Sequence, residues 1–420
     1  MKPDRRRRVA LLLAVTCAAP AAAQQGAVRR VHDPVIIRER DTYYVFSTGP
    51  GIPVRRSKDL IHCEHIGRVF EEDVPAWAKA EIPRAEGVWA PDISHYGGEF
   101  HLYYSVSTMG NQRSCIGLAT NRTLDPASKD YRWVDHGKVL ESFPGRMDYN
   151  AIDPNLVLDE AGDPWLVFGS YWSGIKAVRL DRQTGKPSRR DDRIYPLAAR
   201  PPNGPIEGAF VVHRKGWYWL FVSFDRCCLG VASNYKVMVG RSRRITGPYM
   251  DVQNRPMLEG GGTLVLAGHD HCRGPGHNGI LLTRGGDWMV HHMYDAHAGG
   301  VPTMQIRPLY WLKDGWPVVG EPLDKPLPAS RPVRSALLAG TWRHCVNFGP
   351  EQYVELLPDG RMNSPAAGAR WDLDEALLHL RWPRADRPGE FWIDTCVVGR
   401  DGRSYVGRNQ NGDLIRGIRP

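Results

Sequence analysis

One short pattern occurs five times along this chain. Each copy begins with a polar or charged residue, continues through a few apolar residues and a glycine-rich or charged turn, and ends in an aromatic-rich run. The key residues of the copies are Asp33, Asp92, Asp153, Glu207 and His277, which lie 59, 61, 54 and 70 positions apart. A repeat of this length made of short strands is typical of a β-propeller, where the first strand of every blade lines the central channel. The sequence therefore predicts an all-β fold with a five-bladed β-propeller, whose five key side chains converge on one axis.

The composition fits a globular protein and excludes some classes of partner. Hydrophobic residues make up 42% of the chain and charged residues 24%, and 44 glycines and 33 prolines suit many tight turns. The net charge of +9 comes in part from Lys2 and from Arg5 to Arg8. Because no basic stripe and no nucleic-acid-binding motif follows, we expect no nucleic-acid partner.

Residues 1–23 have the pattern of a secretory signal. Four arginines precede an apolar run, and Ala21-Ala22-Ala23 offers a cleavage site after about Ala23. A lipoprotein anchor at Cys17 is the alternative, although Thr16 is not the small residue that such processing prefers. No later run reaches the roughly 20 apolar residues that a membrane span needs. We therefore expect a secreted or periplasmic protein with no membrane span.

The remaining chain divides into two domains. Residues 24–325 hold the five copies and form the predicted propeller. The proline-rich residues 326–338 are a predicted linker. Residues 339–420 are rich in strand and turn signals and predict a small antiparallel β-barrel-like domain. We expect a monomer.

Seven cysteines follow the signal segment. An odd number leaves at least one thiol free or paired with another molecule. Cys345 and Cys396 are the best candidates for a disulfide, because both lie in the C-terminal domain. For the adjacent Cys227 and Cys228, a strained bridge between neighbours and two small buried residues are alternatives of similar weight.

Three carboxylates among the key residues suggest glycoside hydrolysis, which needs a general acid and a second carboxylate. Glu207 has apolar neighbours, and burial among them would raise the pKa of its carboxyl group. Asp33 and Asp153 each precede a proline, which favours an extended backbone at the aspartate. A single Asp-Pro is more often a solvated turn before a strand, but two of them at blade spacing, together with Ile206-Glu207-Gly208-Ala209, favour an active site.

Several motifs resemble one known family. They are Val31-His32-Asp33-Pro34, Val88-Trp89-Ala90-Pro91-Asp92, Asn150-Ala151-Ile152-Asp153-Pro154-Asn155, Gly169-Ser170-Tyr171-Trp172-Ser173-Gly174, Ile206-Glu207-Gly208-Ala209, Phe221-Val222-Ser223-Phe224-Asp225-Arg226-Cys227-Cys228 and Gly274-Pro275-Gly276-His277-Asn278. They resemble the five-bladed propeller glycoside hydrolases of family 43, and most closely the endo-1,5-α-L-arabinanases. The resemblance covers roughly residues 31–320.

The resemblance implies roles for the three carboxylates. Asp33 would be the general base that activates water, and Glu207 the general acid. Asp153 would orient the acid and tune its pKa. The family inverts the anomeric configuration, which requires carboxyl groups about 6.5–9.5 Å apart so that a water fits between them.

The resemblance also implies a metal site at His277, with one calcium ion in the central channel and waters completing its shell. Calcium prefers oxygen ligands, and a lone histidine on a strand is more often a hydrogen-bonded core residue. His269-Asp270-His271-Cys272 fits no structural zinc spacing and predicts a loop at a blade face. His291 and His292 alternate on a strand, so only one of them can face the channel.

The predicted substrate contacts are side chains that can stack on a furanose or bond its hydroxyl groups. They are Trp89, Gly117, Asn150, Ser170, Tyr171 and Trp172. Asp92 either assists at the site or caps a turn, and a structural role is the preferred interpretation.

We therefore expect a secreted, inverting endo-arabinanase that acts on arabinan or a related hemicellulose or pectin side chain. An exo-acting α-L-arabinofuranosidase or β-xylosidase on the same fold is one alternative, because the loops between blades decide whether a groove is open or blocked. A non-catalytic carbohydrate-binding propeller is an alternative of another class, and the loss of one carboxylate would be its signature.

Overall fold

The computed structural model describes residues 24–327 and 333–420. The predicted signal segment and Cys17 lie outside the described residues. Five sheets of four or five strands follow one another along the chain, and an eight-stranded sheet comes last. Within the described residues, the only α-helix is α1 (Ala76–Glu81), and none is long and apolar enough to cross a membrane. The all-β prediction, with a five-bladed propeller and a β-barrel-like C-terminal domain, is confirmed.

Blades 1 to 3 are meanders in which neighbouring strands pair antiparallel, except that β1 runs parallel to β5. Blade 1 consists of β1 (Gln25–Gly26), β2 (Val35–Glu39), β3 (Thr42–Phe46), β4 (Pro53–Ser57) and β5 (His62–Arg68). Blade 2 consists of β6 (Trp89–Tyr96), β7 (Glu99–Val106), β8 (Ser114–Asn121) and β9 (Val134–Ser142). Blade 3 consists of β10 (Asn155–Leu158), β11 (Pro164–Phe168), β12 (Ile175–Arg179) and β13 (Tyr195–Ala198).

Blades 4 and 5 follow the same plan. Blade 4 consists of β14 (Ile206–Arg214), β15 (Trp217–Phe224), β16 (Lys236–Ser242) and β17 (Thr263–Leu266). Blade 5 consists of β18 (Cys272–Thr283), β19 (Gly286–Asp295), β20 (Val301–Trp311) and β21 (Pro317–Val319). Short 3₁₀ turns lie at Gly230–Ala232, Met257–Glu259, Ala296–Ala298 and Ser335–Leu337.

Hydrophobic layers between neighbouring blades form the core of the propeller. In β15, Leu220 and Val222 belong to the layer against blade 3, whereas Trp219 and Phe221 belong to the layer against blade 5. Successive side chains of a strand point to opposite faces, and here both faces are covered. The aromatic-rich run of this copy is therefore explained by packing between blades.

The first described residues close the ring between blades 1 and 5. Beyond β1, the chain crosses to β20, where Val31 N–H donates to the Pro302 carbonyl at 3.2 Å and Met304 N–H donates to the Val28 carbonyl at 2.8 Å. The buried side chain of Gln24 donates to the carbonyls of Ile306 and Leu323. One short segment thus hydrogen-bonds to the first and the last blade.

A residue with positive φ starts every blade. These residues are Asp33, Ala90, Asp153, Gly208 and His277, with φ of 48°, 42°, 56°, 60° and 48°. In each case the backbone N–H donates to a side chain of the preceding blade, and the acceptors are His292, Thr48, Ser105, Asp153 and Ser223. The predicted extended backbone before Pro34 and Pro154 is therefore wrong, because contacts between blades impose the left-handed conformation, which aspartate tolerates better than most residues.

The structural repeat also shifts two of the five key positions. Asp92 lies two residues after Ala90, and Glu207 lies one residue before Gly208. Asp92 is buried, and its carboxylate accepts hydrogen bonds from the Asn155 side chain and from Leu156 N–H. Asp92 therefore fastens blade 2 to blade 3, in agreement with the structural role preferred from the sequence.

The C-terminal domain is an eight-stranded antiparallel sheet. Its strands are β22 (Gly340–Val346), β23 (Gln352–Leu356), β24 (Met362–Asn363), β25 (Arg370–Asp374), β26 (Leu377–Pro383), β27 (Phe391–Val398), β28 (Ser404–Arg408) and β29 (Leu414–Ile418). The edge strands β24 and β25 approach each other through a bridge between Arg361 and Arg370, so the sheet is nearly closed. Arg416 of this domain forms ion pairs with Glu321 and Asp270 of the propeller domain.

All seven described cysteines are free thiols. The predicted disulfide between Cys345 and Cys396 is wrong, because these residues lie on β22 and β27, and β29 and β28 separate those strands in the sheet. Cys227 and Cys228 are not bridged either, and they are not a buried pair, since Cys227 is half-buried and Cys228 is exposed.

Candidate active site

A cavity of about 930 Å³ opens at one mouth of the central channel. Its lining includes residues from all five blades and from the loops that connect their strands. Nine of the ten residues predicted for the site line it, namely Asp33, Trp89, Asn150, Asp153, Ser170, Tyr171, Trp172, Glu207 and His277. The converging first strands of the propeller therefore bring together residues up to 244 positions apart in the chain.

The structure does not bring Gly117 to this cavity. Gly117 lies in the middle of β8 and is buried. A Cβ atom at this position would lie 2.4 Å from Cζ of Tyr104. The Tyr104 ring of the neighbouring strand occupies the space of the missing side chain, so the need for glycine here arises from packing and not from a sugar.

Asp33 is buried among groups that favour its ionised form. Its Oδ2 accepts a 2.6 Å hydrogen bond from the Thr48 hydroxyl and lies 2.8 Å from Nδ1 of His32, while its Oδ1 lies 3.1 Å from Nδ1 of His277. Burial by itself would raise the pKa of Asp33. The charges of His32 and His277 outweigh burial and hold that pKa well below its usual range. Asp33 is thus a carboxylate that can accept a proton.

His32, Asp33 and His292 form the one group of three potential metal ligands in the described part of the chain, with their ligand atoms within 4.8 Å of one another. Hydrogen bonds already occupy this group. The backbone N–H of Asp33 donates to Nδ1 of His292, and the imidazole rings of His32 and His292 stack at 3.9 Å. The two histidines therefore hold Asp33 in position through hydrogen bonds and do not form an open metal site.

Glu207 has the opposite electrostatic setting. Its Oε2 accepts a 2.7 Å hydrogen bond from the Ser170 hydroxyl, and its Oε1 accepts a 2.9 Å bond from the Tyr235 hydroxyl. Burial raises the pKa of Glu207, and the two hydrogen bonds offset this rise only in part. Glu207 is thus a carboxyl group that can keep a proton and donate it.

Asp153 is coupled to Glu207 through the backbone. Its Oδ2 accepts a 3.0 Å hydrogen bond from the N–H of Gly208, the residue after Glu207. Burial is the main cause that raises the pKa of Asp153 to about 7, and the negative charges of Glu207 and Asp33 add to it. Gly208 has φ of 60°, and a Cβ atom there would lie 3.1 Å from the His277 ring, so glycine permits this close arrangement.

His277 starts blade 5 and lines the cavity beside these three carboxylates. Its positive charge, or that of an ion bound to it, would stabilise the ionised forms of Asp33, Asp153 and Glu207. Calcium takes six to eight oxygen ligands. One imidazole surrounded by carboxylates fits a hydrated ion held mainly by water and by the negative field, and does not fit a cage built only from protein ligands.

The rim of the cavity carries the aromatic side chains. Tyr171 and Trp172 follow Ser170 in a tight loop, both with positive φ, of 51° and 40°. Tyr171 N–H donates to the Ile206 carbonyl at 2.8 Å, which fixes the loop directly beside Glu207. Trp89 lines the cavity from blade 2. The arrangement offers aromatic faces close to the carboxyl groups, as sugar binding requires.

Sequence reasoning assigned no role to several residues that the structure places at the site. Tyr235 gave no signal in the sequence, because it directly precedes β16 and contacts Glu207 of β14 although β15 lies between these two strands in the sheet. His32 stood in a quoted motif but received no role. Of the two adjacent histidines, His292 lies against Asp33 while His291 contacts Arg307, which confirms that only one faces the site.

The predicted loop at His269 and Asp270 lies outside the cavity. His269 and Asp270 lie in a loop before β18, as expected, and this loop contacts the C-terminal domain through Asp270 and Arg416. His269 Nδ1 lies 2.7 Å from the Ala267 carbonyl, so the imidazole caps the loop locally.

Comparisons with known proteins agree with this geometry. The sequence profile of "Glycosyl hydrolases family 43" matches residues 28–317. The extracellular endo-α-(1→5)-L-arabinanase 1 of Bacillus subtilis (strain 168) is 42% identical over 312 residues, covering 73% of this chain and 93% of the relative. The extracellular exo-α-(1→5)-L-arabinofuranosidase ArbA of Cellvibrio japonicus (strain Ueda107) is 40% identical over 319 residues, covering 74% and 91%.

Solved structures give the same result. The Cellvibrio cellulosa α-L-arabinanase complexed with arabinohexaose matches with a TM-score of 0.67 and 40% identity, over 69% of this chain and 95% of that one. The endo-1,5-α-L-arabinanase of Thermotoga petrophila RKU-1 is only 21% identical, but it covers 95% of this chain with a TM-score of 0.78, so it shares the fold of both domains. The chain therefore belongs to glycosyl hydrolase family 43 and is a glycoside hydrolase related to the arabinanases.

Proposed function

We propose that this protein is a secreted, inverting hydrolase that cleaves internal α-1,5-L-arabinofuranosyl links of arabinan. The observation that carries the proposal is the contrast between two carboxyl groups in one cavity. Asp33 is held ionised by its histidine neighbours, whereas burial favours the protonated form of Glu207. Two carboxyl groups with opposite protonation states are what acid–base cleavage of a glycosidic bond requires.

In the proposed reaction, Asp33 accepts a proton from a water molecule, and this water attacks the anomeric carbon. Glu207 donates its proton to the leaving glycosidic oxygen, so the net charge of the site is conserved in the step. Asp153 holds the backbone beside Glu207, and its negative charge favours the protonated acid. A single displacement inverts the anomeric configuration.

The cavity supports a chain substrate. A volume of about 930 Å³ lies near the upper end of the range for cavities that hold ligands of several hundred daltons. The Bacillus subtilis relative is named an endo-α-(1→5)-L-arabinanase, and the structure of the Cellvibrio cellulosa arabinanase contains bound arabinohexaose.

The calcium ion stays part of the proposal. His277 would hold it, with water molecules as the remaining ligands, and the bound ion would supply fixed positive charge beside the carboxylates. The described residues fit such an ion because His277 presents one imidazole in a cavity lined by four acidic residues, Asp33, Asp148, Asp153 and Glu207.

Secretion is proposed on two grounds. Residues 1–23 have the pattern of a signal peptide. The two relatives of about 40% identity are named extracellular. Family membership sets aside the non-catalytic binding propeller, since all three carboxylates are present and line one cavity.

An exo-acting enzyme is the second candidate function. One relative of 40% identity is named an exo-α-(1→5)-L-arabinofuranosidase, so identity alone favours neither mode. A β-xylosidase has less support, because the relatives named here are all arabinan-acting enzymes.

A time course of product formation separates these candidates. The purified mature chain is incubated with linear debranched α-1,5-arabinan, and the products are resolved by size and, in the first minutes, by anomeric form. Early mixed oligosaccharides of inverted configuration are the expected result. Arabinose as the only early product would establish the exo mode, and retention of configuration would contradict the role given to Asp33. A matched digestion of xylan is the control.

A further inference from the structure

The rim of the cavity carries a thiol that the proposed reaction does not use. Cys228 is exposed, lines the cavity and has φ of 63°. Its backbone N–H donates a 2.7 Å hydrogen bond to the Tyr294 hydroxyl, so the loop position of this residue is fixed. The remaining described cysteines, apart from its neighbour Cys227, are buried.

A histidine and an aspartate lie in line behind this thiol. Nε2 of His32 lies 2.8 Å from the Tyr294 hydroxyl, and Sγ of Cys228 is a second, longer contact of the same nitrogen at 3.8 Å, within hydrogen-bonding distance for sulfur. The other ring nitrogen, Nδ1 of His32, is 2.8 Å from Oδ2 of Asp33. A nucleophile that contacts one nitrogen of an imidazole, whose other nitrogen is oriented by a carboxylate, is the arrangement that activates cysteine in nucleophilic enzymes.

The charges of this array agree with its geometry. Burial opposes a charge on His32, but Asp33 outweighs burial and raises the pKa of His32 to about 10. A hydrogen bond from the Cys227 thiol is the main cause that lowers the pKa of Cys228 to about 5, and contact with His32 adds to it against burial. These neighbours favour a thiolate beside an imidazolium, whereas burial raises the pKa of Cys63, Cys115 and Cys272 to about 11.

We propose that Cys228 is an activated nucleophilic thiolate and a site of covalent modification by soft electrophiles, and that this modification closes the substrate cavity. With an alkyl halide, the sulfur lone pair forms a bond to carbon while the carbon–halogen bond breaks and halide leaves. The product is a neutral thioether, so His32 loses its negative partner on the cavity side. Reactivity of the thiol is independent of the proposed function, whereas closure of the cavity rests on it.

The test measures labelling of the full mature chain by iodoacetamide at pH 6.0 and pH 8.5, with intact mass and peptide mapping as readouts. The titratable groups that face Cys228 are Cys227, His32, Tyr294 and Tyr171, with Asp33 beyond His32. We expect a single label on Cys228 and a labelling rate that changes less than about threefold between the two pH values. A simple thiol with a pKa of about 8.5 becomes more than about 100-fold faster over the same interval.

Variants identify the groups responsible. Cys228→Ser should abolish the label, and Cys227→Ser should keep it on Cys228. His32→Gln should make the labelling rate rise more steeply between pH 6.0 and pH 8.5 than in the parent chain, because the imidazolium contact that adds to the lowering of the Cys228 pKa is lost. His62→Gln, which changes an exposed histidine on blade 1, is the matched control and should label like the parent chain.

The consequence for the cavity has its own readout. Bound arabino-oligosaccharide should slow the labelling of Cys228. For each variant, activity is compared before and after labelling, and the fraction of activity lost should equal the fraction of chains labelled. Labelling spread over several cysteines, or a pH dependence like that of a simple thiol, would overturn the activation of Cys228. Full activity of a completely labelled chain would overturn closure of the cavity. Absence of arabinan hydrolysis would instead contradict the proposed function and leave the labelling result unaffected.

Discussion

Asp33 and Glu207 line one cavity but differ in the groups that contact them. Histidine side chains surround Asp33, while hydroxyl groups contact Glu207. A positive charge favours the ionised carboxylate more strongly than neutral donors do, and burial works against both groups. The assignment of base and acid therefore follows from these neighbours, of which His277 and Ser170 come from other blades.

Replacing Glu207 with Gln removes the transferable proton and changes little in shape. We expect kcat on linear arabinan to fall about 10²–10⁴-fold, which is the usual contribution of general acid catalysis. Binding of arabino-oligosaccharide, measured by calorimetry, should be retained. Glu160→Gln, at an exposed turn of blade 3, should behave as the parent chain. Survival of full activity in Glu207→Gln would show that another group is the acid.

Replacing Tyr235 with Phe removes a hydrogen bond that favours ionised Glu207. The pKa of Glu207 should rise further, because the lost donor lowered it. Since the acid must keep its proton, the alkaline limb of the pH profile of kcat/KM should move to higher pH, and its apparent pKa belongs to the coupled pair of Glu207 and Asp153. Tyr353→Phe, on the exposed surface of the C-terminal domain, is the control. A limb that stays in place or moves to lower pH would contradict the role of Tyr235.

At the scale of the strand, alternation explains most of the pattern that the sequence shows. Neighbouring side chains of β15 enter two different layers between blades, so aromatic residues are needed on both faces. The copies of the pattern were therefore visible in the sequence. The close packing between two particular strands was not visible there, as the contact of Gly117 with the Tyr104 ring shows.

Gly117→Ala should destabilise the propeller without changing the binding of the substrate. The added Cβ overlaps the Tyr104 ring, and overpacking of this kind costs about 1–3 kcal/mol. We expect the Tm to fall by roughly 2–8 °C in thermal unfolding, with KM for arabinan changed less than about twofold. Gly285→Ala, where the nearest atom lies 3.9 Å from the added Cβ, should leave the Tm unchanged. A large rise in KM with an unchanged Tm would restore Gly117 as a substrate contact.

At the scale of the whole molecule, a buried ion pair joins the two domains. Arg416 of β29 pairs with Glu321, which follows β21, and with Asp270 of the loop before β18. Burial opposes ionisation of Glu321, but Arg416 outweighs it and lowers the pKa of Glu321 to about 2. The C-terminal domain is thereby fixed to blade 5 through residues that do not line the cavity.

Replacing Arg416 with Met removes the cation that pairs with Glu321 and Asp270, and because these side chains are 30% and 38% exposed, the cost should stay below the about 3–5 kcal/mol of a fully buried pair. We expect a clear loss of resistance to urea, and recovery of part of it in the double variant Arg416→Met, Glu321→Gln. The folded pKa of Glu321 is depressed, so the stabilisation is complete above the ordinary pKa of 4.5 and is lost as the pH falls towards about 2. The difference between parent and variant should shrink over that interval. Arg361→Met, an exposed pair with Asp359, should cost under about 1 kcal/mol, and an equal loss in both variants would contradict the domain contact.

The sequence by itself predicted the repeat and the all-β class, because the period of the copies and the alternation within strands are local properties of the chain. Through the resemblance of its motifs to a known family it also predicted ten site residues, of which nine line the cavity. Only the tertiary structure decided which side chains from separate strands and loops meet. It placed Tyr235 on Glu207 and Cys228 against His32, moved Gly117 out of the site, and kept Cys345 and Cys396 apart. The Tyr235–Glu207 and His32–Cys228 contacts join residues 28 and 196 positions apart, so no local pattern could have specified them.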